Sequence, residues 1–121
     1  MISQVRKMDG IFKQVMLYDF YGELLTSHQK EIYEQAILED LSLSEIAAEA
    51  GISRQGVHDL LKRCDKILQG YEDRLHLVEK FLTIKEKIHC MNEILDRASD
   101  SDITNLKSEL RIISDDILKE L

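Results

Sequence analysis

The stretch SRQGVHDLLKRCDK, Ser53 to Lys66, gathers side chains that could recognise a nucleic acid. Arg54 and Gln55 stand together at its start. Arginine can pair two N–H donors with the O6 and N7 of guanine. Glutamine can pair a donor and an acceptor with the N7 and N6 of adenine. Ser53, His58 and Asp59 fall on the same outward side if the stretch is helical. Lys62, Arg63 and Lys66 follow and are of the type that meets phosphates. The candidate contact set is therefore Ser53, Arg54, Gln55, His58, Lys62, Arg63 and Lys66.

The residues around this set predict how it is held. Ser42 followed three positions later by Glu45 is a capping box: the Ser hydroxyl takes the Glu amide and the Glu carboxylate reaches back. Gly51 ends that helix, where a left-handed conformation suits a residue without a Cβ. Ser53 caps the next helix. Ala47 supplies the small residue needed where two short helices cross steeply, Ile52 seals the turn, and Val57 returns to the core. The pattern predicts a helix-turn-helix. Ile46, Ala47, Ile52, Val57 and Leu61 are expected inside, and Arg54, Gln55, Lys62 and Arg63 outside. In such a unit the start of the second helix enters a major groove.

The rest of the chain reads as helix. There is no Pro among 121 residues, and apolar residues recur at spacings of three and four almost throughout. A first helix is expected from about Ser3 to Leu24. Thr26 or Ser27 caps a second that ends near Leu38, with Ile32, Ala36 or Tyr33, and Ile37 facing inward. Val57, Leu61, Cys64, Leu68, Tyr71, Leu75, Val78 and Leu82 form one a/d seam, which predicts a long helix with Gly70 as its weak point. Phe81, Ile84, Ile88, Met91, Leu95 and Ala98 form a second seam. A turn near Ser99 to Ser101 leads to a last helix bearing Ile103, Leu106, Leu110, Ile113, Ile117 and Leu121. The expected fold is all-α. A helix-turn-helix domain over residues 1–70 precedes a helical extension over 71–121, a hairpin continuous with the recognition helix.

Charge restrains the nucleic-acid reading. The formal net charge is -7. From Ser53 to Leu68, Arg54, Lys62, Arg63 and Lys66 oppose Asp59 and Asp65, so this segment is mildly basic. From Tyr71 onward acids outnumber bases. Binding to a polyanion is expected to be weak at physiological salt. Enzyme chemistry is not expected. No Gly-rich phosphate loop is present, and no nucleophile has a positioned base. Cys64 and Cys90 sit in helical patterns without a CxxC, and His89 points about 100° away from Cys90, so neither a metal nor a cofactor is expected. His28, His76 and His89 read as ordinary polar-face residues. No apolar run approaches the ~20 residues of a membrane span. The opening MISQVRKMDGIFKQ lacks the apolar core of a signal peptide, and a cytoplasmic location is expected.

FYGELLTSHQ, LSLSEIAAEAGISRQGVHDLLKRCDKIL and YEDRLHL resemble the YlxM family of small bacterial helix-turn-helix proteins, over roughly Leu17 to Leu77. The helix-turn-helix portion also resembles region 4 of sigma-70 factors. The resemblance implies a sigma region 4-like domain with a helical extension, and a regulatory part in the signal recognition particle pathway. It implies contact with that particle's RNA or with its GTPase Ffh. Gly56 stands where the family usually has Ala, and His58 where it has Tyr. His58 keeps a planar ring able to stack on a base or sugar.

Three functions remain open on the sequence. The protein is a nucleic-acid-binding regulator linked to protein targeting, an interaction module that grips Ffh without touching nucleic acid, or a transcription regulator unrelated to targeting. DNA and the particle's RNA are the expected nucleic acids. A homodimer is also expected, because the two C-terminal seams display more apolar surface than two helices can bury. The alternative is that the hairpin folds back on the first helix.

Overall fold

The computed structural model describes residues 10–98 and 103–121. These residues form helices α1 (Gly10–Tyr21), α2 (Ser27–Ile37), α3 (Leu43–Ala50), α4 (Arg54–Leu75), α5 (Leu77–Arg97) and α6 (Ile103–Glu120), with a 3-10 turn at Gly22–Leu24. No strand occurs among the described residues. They divide into two compact units, one ending at Val78 and the other Glu79–Leu121. The expected start of the first helix near Ser3 and the turn at Ser99 to Ser101 lie outside the described residues.

The first unit is built around α4, which packs against α1, α2 and α3. Its inner stripe is Val57, Cys64 and Leu68, all buried. Leu17 and Tyr21 of α1, Ile32 and Tyr33 of α2, and Ile46 and Ala47 of α3 fill the other side. Thr26 caps α2 in a capping box with Gln29. Gly22 is needed where α1 ends, because a Cβ there would lie 2.7 Å from the Tyr18 ring. Tyr18 stacks on Tyr33 with ring centroids 5.4 Å apart, and its hydroxyl donates to Glu34. Burial and that carboxylate raise the Tyr18 hydroxyl above its ordinary pKa.

The helix-turn-helix forms as its caps dictate. Ser42 and Glu45 exchange hydrogen bonds of 3.1 Å. Gly51 takes φ 71°. Its N–H and that of Ile52 both donate to the Ala47 carbonyl, at 2.9 and 3.2 Å. This tight turn changes one expectation. Ile52 does not seal the turn from within but lies 37% exposed beside the first turn of α4. The turn is closed by backbone hydrogen bonds, and Ile32, Ile46, Ala47 and Val57 supply its core. Leu61 is half-buried at the margin of that cluster.

The long a/d seam does not produce one long helix. Helix α4 runs through Gly70 but stops at Leu75, and His76 takes a left-handed φ of 57°. A polar lock accounts for the break. Glu72 is 3% exposed. Its Oε1 accepts from the Tyr21 hydroxyl at 2.6 Å and from the Val78 N–H at 3.0 Å. The Tyr21 oxygen in turn accepts from the Leu77 N–H at 3.2 Å. These contacts satisfy two N–H groups at the start of α5 that would otherwise lack helical partners. Left-handed backbone costs about 1–2 kcal/mol at a residue other than Gly, and such hydrogen bonds offset it.

In the second unit α5 and α6 run antiparallel as a hairpin. Lys87 meets Asp116 at 3.9 Å near one end. Ile94, Arg97 and Ala98 face Asn105, Leu106 and Glu109 across a cavity of about 210 Å³ near the other. The facing row is Ile84, Lys87, Met91 and Ile94 of α5 with Ala98 just past its end, all half-buried. Phe81, Ile88 and Leu95 lie beside that row and stay 44%, 46% and 48% exposed. No residue of α6 is buried.

Candidate nucleic-acid interface

The start of α4 is set by Ser53. Its hydroxyl accepts from the Gly56 N–H at 2.9 Å. The serine oxygen thus anchors the helix start, with its side chain at the surface. Arg54 and Gln55 follow in the first turn, and both are exposed. Arg54, Gln55 and His58 line a shallow cleft of about 410 Å³ together with Leu43 of α3. The four residues bring the start of α4 beside the start of α3.

The amide of Gln55 is already engaged. Its Nε2 donates to Asp59 Oδ1 at 2.9 Å, one turn along the helix. His58 is half-buried, and its Nδ1 lies 3.8 Å from the same carboxylate oxygen, outside hydrogen-bonding range. Lys62, Arg63 and Lys66 are all exposed. Gln55, Asp59, Lys62 and Lys66 recur at spacings of four, three and four, so they share one line along α4.

Asp65 behaves differently from what its charge suggests. It follows Cys64 on the stripe 57, 61, 64, 65, 68, which turns toward the core. Its carboxylate accepts from the Tyr33 hydroxyl at 2.7 Å and from Gln14 Nε2 at 3.1 Å to each oxygen. Burial, followed by this carboxylate, holds the Tyr33 hydroxyl above its ordinary pKa. Asp65 therefore ties α1 and α2 to α4. From Ser53 to Leu68 the four cations are exposed and Asp59 is the one exposed acid. The spacing of Asp65 from Val57 and Leu61 carried the signal for its inward turn.

The two cysteines differ. Cys64 is buried, and burial with Asp65 nearby pushes its thiol up to about 11. It stays protonated at neutral pH and packs as a small apolar residue, whereas Cys90 is exposed. His28, His76 and His89 are all at the surface. No described helix is long and apolar enough to cross a membrane.

This geometry agrees with a family match. Residues 8–110 fit the family described as "UPF0122: Putative helix-turn-helix protein, YlxM / p13 like". The chain belongs to the YlxM/p13-like helix-turn-helix family. A family member from Caldanaerobacter subterraneus subsp. tengcongensis is 46% identical over 87 residues, covering 72% of this chain and 74% of the relative. One from Thermoanaerobacter sp. is 40% identical over 106 residues, covering 84% and 91%. One from Clostridium novyi is 37% identical over 110 residues, covering 91% and 93%. The YlxM/p13-like match thus spans the helix-turn-helix and most of the C-terminal hairpin.

Proposed function

We propose that this YlxM/p13-like protein is a cytoplasmic regulator that binds nucleic acid through the exposed face of α4. Arg54 and Gln55 meet base edges, His58 lies beside them, and Lys62, Arg63 and Lys66 meet phosphates. Ser53 fixes the start of the helix. The observation that carries this reading is the inward turn of Asp65. It removes one of two acids from a face that bears four cations. A net charge of -7 on the whole chain keeps the affinity low and strongly salt-dependent. The resemblance to YlxM proteins supports the signal recognition particle pathway as the setting, with that particle's RNA as one ligand. The resemblance to sigma-70 region 4 supports duplex DNA as another.

A second reading is favoured by the row Phe81, Ile88 and Leu95. These residues recur every seven positions and stay nearly half exposed. They suit a helical partner, either a second copy in a homodimer or a component such as Ffh.

A salt titration separates the readings. Full-length protein is titrated against the particle's RNA, random duplex DNA and Ffh. For a nucleic-acid binder, affinity falls steeply with salt. The triple variant Lys62→Ala, Arg63→Ala, Lys66→Ala weakens binding to every sequence and flattens the salt slope by up to about three counterions. No measurable binding to either nucleic acid at about 50 mM salt would defeat that reading. Binding to Ffh that persists in the triple variant would then favour the interaction module. Light scattering at micromolar concentration tests the homodimer, which a monomeric mass refutes.

A further inference from the structure

The contact between Gln55 and Asp59 has a chemical consequence. A carboxylate offers only acceptors, so the end of the Gln55 amide beside Asp59 must be its NH2 group. The amide cannot flip without placing its oxygen against a negative charge. One N–H points to Asp59, leaving the second N–H and the carbonyl oxygen as a donor and an acceptor side by side. In a major groove, adenine presents an acceptor at N7 and a donor at N6. Guanine presents acceptors at both N7 and O6. The locked amide matches adenine and sets its oxygen against the O6 of guanine.

We propose that Asp59 is a positioning residue that locks Gln55 in the orientation that reads an adenine edge in the major groove of duplex DNA. The inference rests on the reading that the start of α4 contacts nucleic acid. It is specific to duplex DNA, because the deep, narrow major groove of an RNA helix does not admit side chains to its base edges. Asp59 does so at a cost in affinity, because its own charge faces the phosphates. The three neighbouring cations Lys62, Arg63 and Lys66 lie further along the same helix, where they balance it.

The test uses full-length protein and selection from a random duplex pool at low salt, followed by binding to the selected duplex and to single-base variants. The wild type should enrich adenine at one position and prefer it to guanine there by roughly five- to hundredfold. Gln55→Ala should abolish that preference and so identify the position. Asp59→Asn is the informative variant. Its amide can accept from or donate to Gln55, so both orientations become available. An unlocked amide can still turn to suit adenine, so the variant should lower the adenine-to-guanine ratio by about twofold, the worth of one exposed i,i+4 hydrogen bond, while overall affinity rises. Asp59→Glu, which again offers only acceptors, should retain the preference. Both Asp59 and Gln55 are exposed, so melting temperatures should not separate these variants.

Three results overturn the inference in different ways. A preference that Gln55→Ala abolishes but Asp59→Asn leaves intact removes Asp59 from the reading. Duplex binding with no base preference sensitive to Gln55 removes the adenine contact and leaves the phosphate contacts standing. Binding to RNA alone, with none to duplex DNA, overturns the inference while nucleic-acid binding survives. Binding to neither overturns both.

Discussion

The residues up to Val78 and those from Glu79 onward use their apolar side chains in opposite ways. Among the described residues, every fully buried apolar side chain lies at or before Val78. There α4 is enclosed by three helices, and the half-buried Asp65 and the buried Glu72 tie the helices together through Tyr33 and Tyr21. Among the described residues from Glu79 onward Thr83 alone is buried, and the hairpin helices share a row of half-buried residues. Helices in water draw most of their stability from packing an apolar face. The first unit contains that packing within itself. The hairpin has only part of it, and Ile88 and Leu95 stay nearly half exposed. The same apolar periodicity therefore yields an enclosed core in one unit and a half-buried row in the other.

The contrast is broken or sharpened first at Ile46. This side chain is fully enclosed between the helices of the turn. Ile46→Ala should cost about 2–5 kcal/mol through lost burial and the cavity left behind. Urea denaturation measures it, and a loss below about 1 kcal/mol would mean that the core collapses easily around the missing atoms. Ala47 comes next. It is 7% exposed at the crossing of α3 with α4, where its carbonyl also closes the turn. Ala47→Leu should overpack the crossing and cost about 1–3 kcal/mol. An unchanged melting temperature would show that the two helices are not closely packed there.

How much of this was legible in the sequence depended on the range of the interactions involved. Ser42, Glu45, Gly51 and Ser53 act within four residues of themselves, and all took the cap positions their types predict. The break at His76 was hidden because the apolar seam runs through it without interruption. What stops α4 is a buried Glu72 joined to Tyr21, 51 residues away in sequence. Ile52 was misread for a related reason: an apolar residue beside a turn was assigned to the core, but two backbone hydrogen bonds to Ala47 close the turn instead. At the candidate site, the exposure of Arg54, Gln55, Lys62 and Arg63 followed from helical periodicity. The roles of the two acids did not follow from net charge. Asp65 turns inward on the core stripe, and Asp59 holds a neighbour's amide.

The smallest effect is expected near the end of α6. Leu118 is 65% exposed and lies outside the row formed by Leu106, Leu110, Ile113 and Ile117. Truncating it opens no cavity and removes little area from contact. Leu118→Ala should therefore change stability by no more than about 0.5 kcal/mol, in contrast to the same chemistry at Ile46. Urea denaturation at two protein concentrations is the suitable measurement. A loss above about 1 kcal/mol at both concentrations would show that the hairpin is packed as tightly as the first unit. A loss that grows with protein concentration would show that another copy covers Leu118, since association stabilises by mass action. The open apolar surface would then belong to the isolated chain, and the associated form would bury both units.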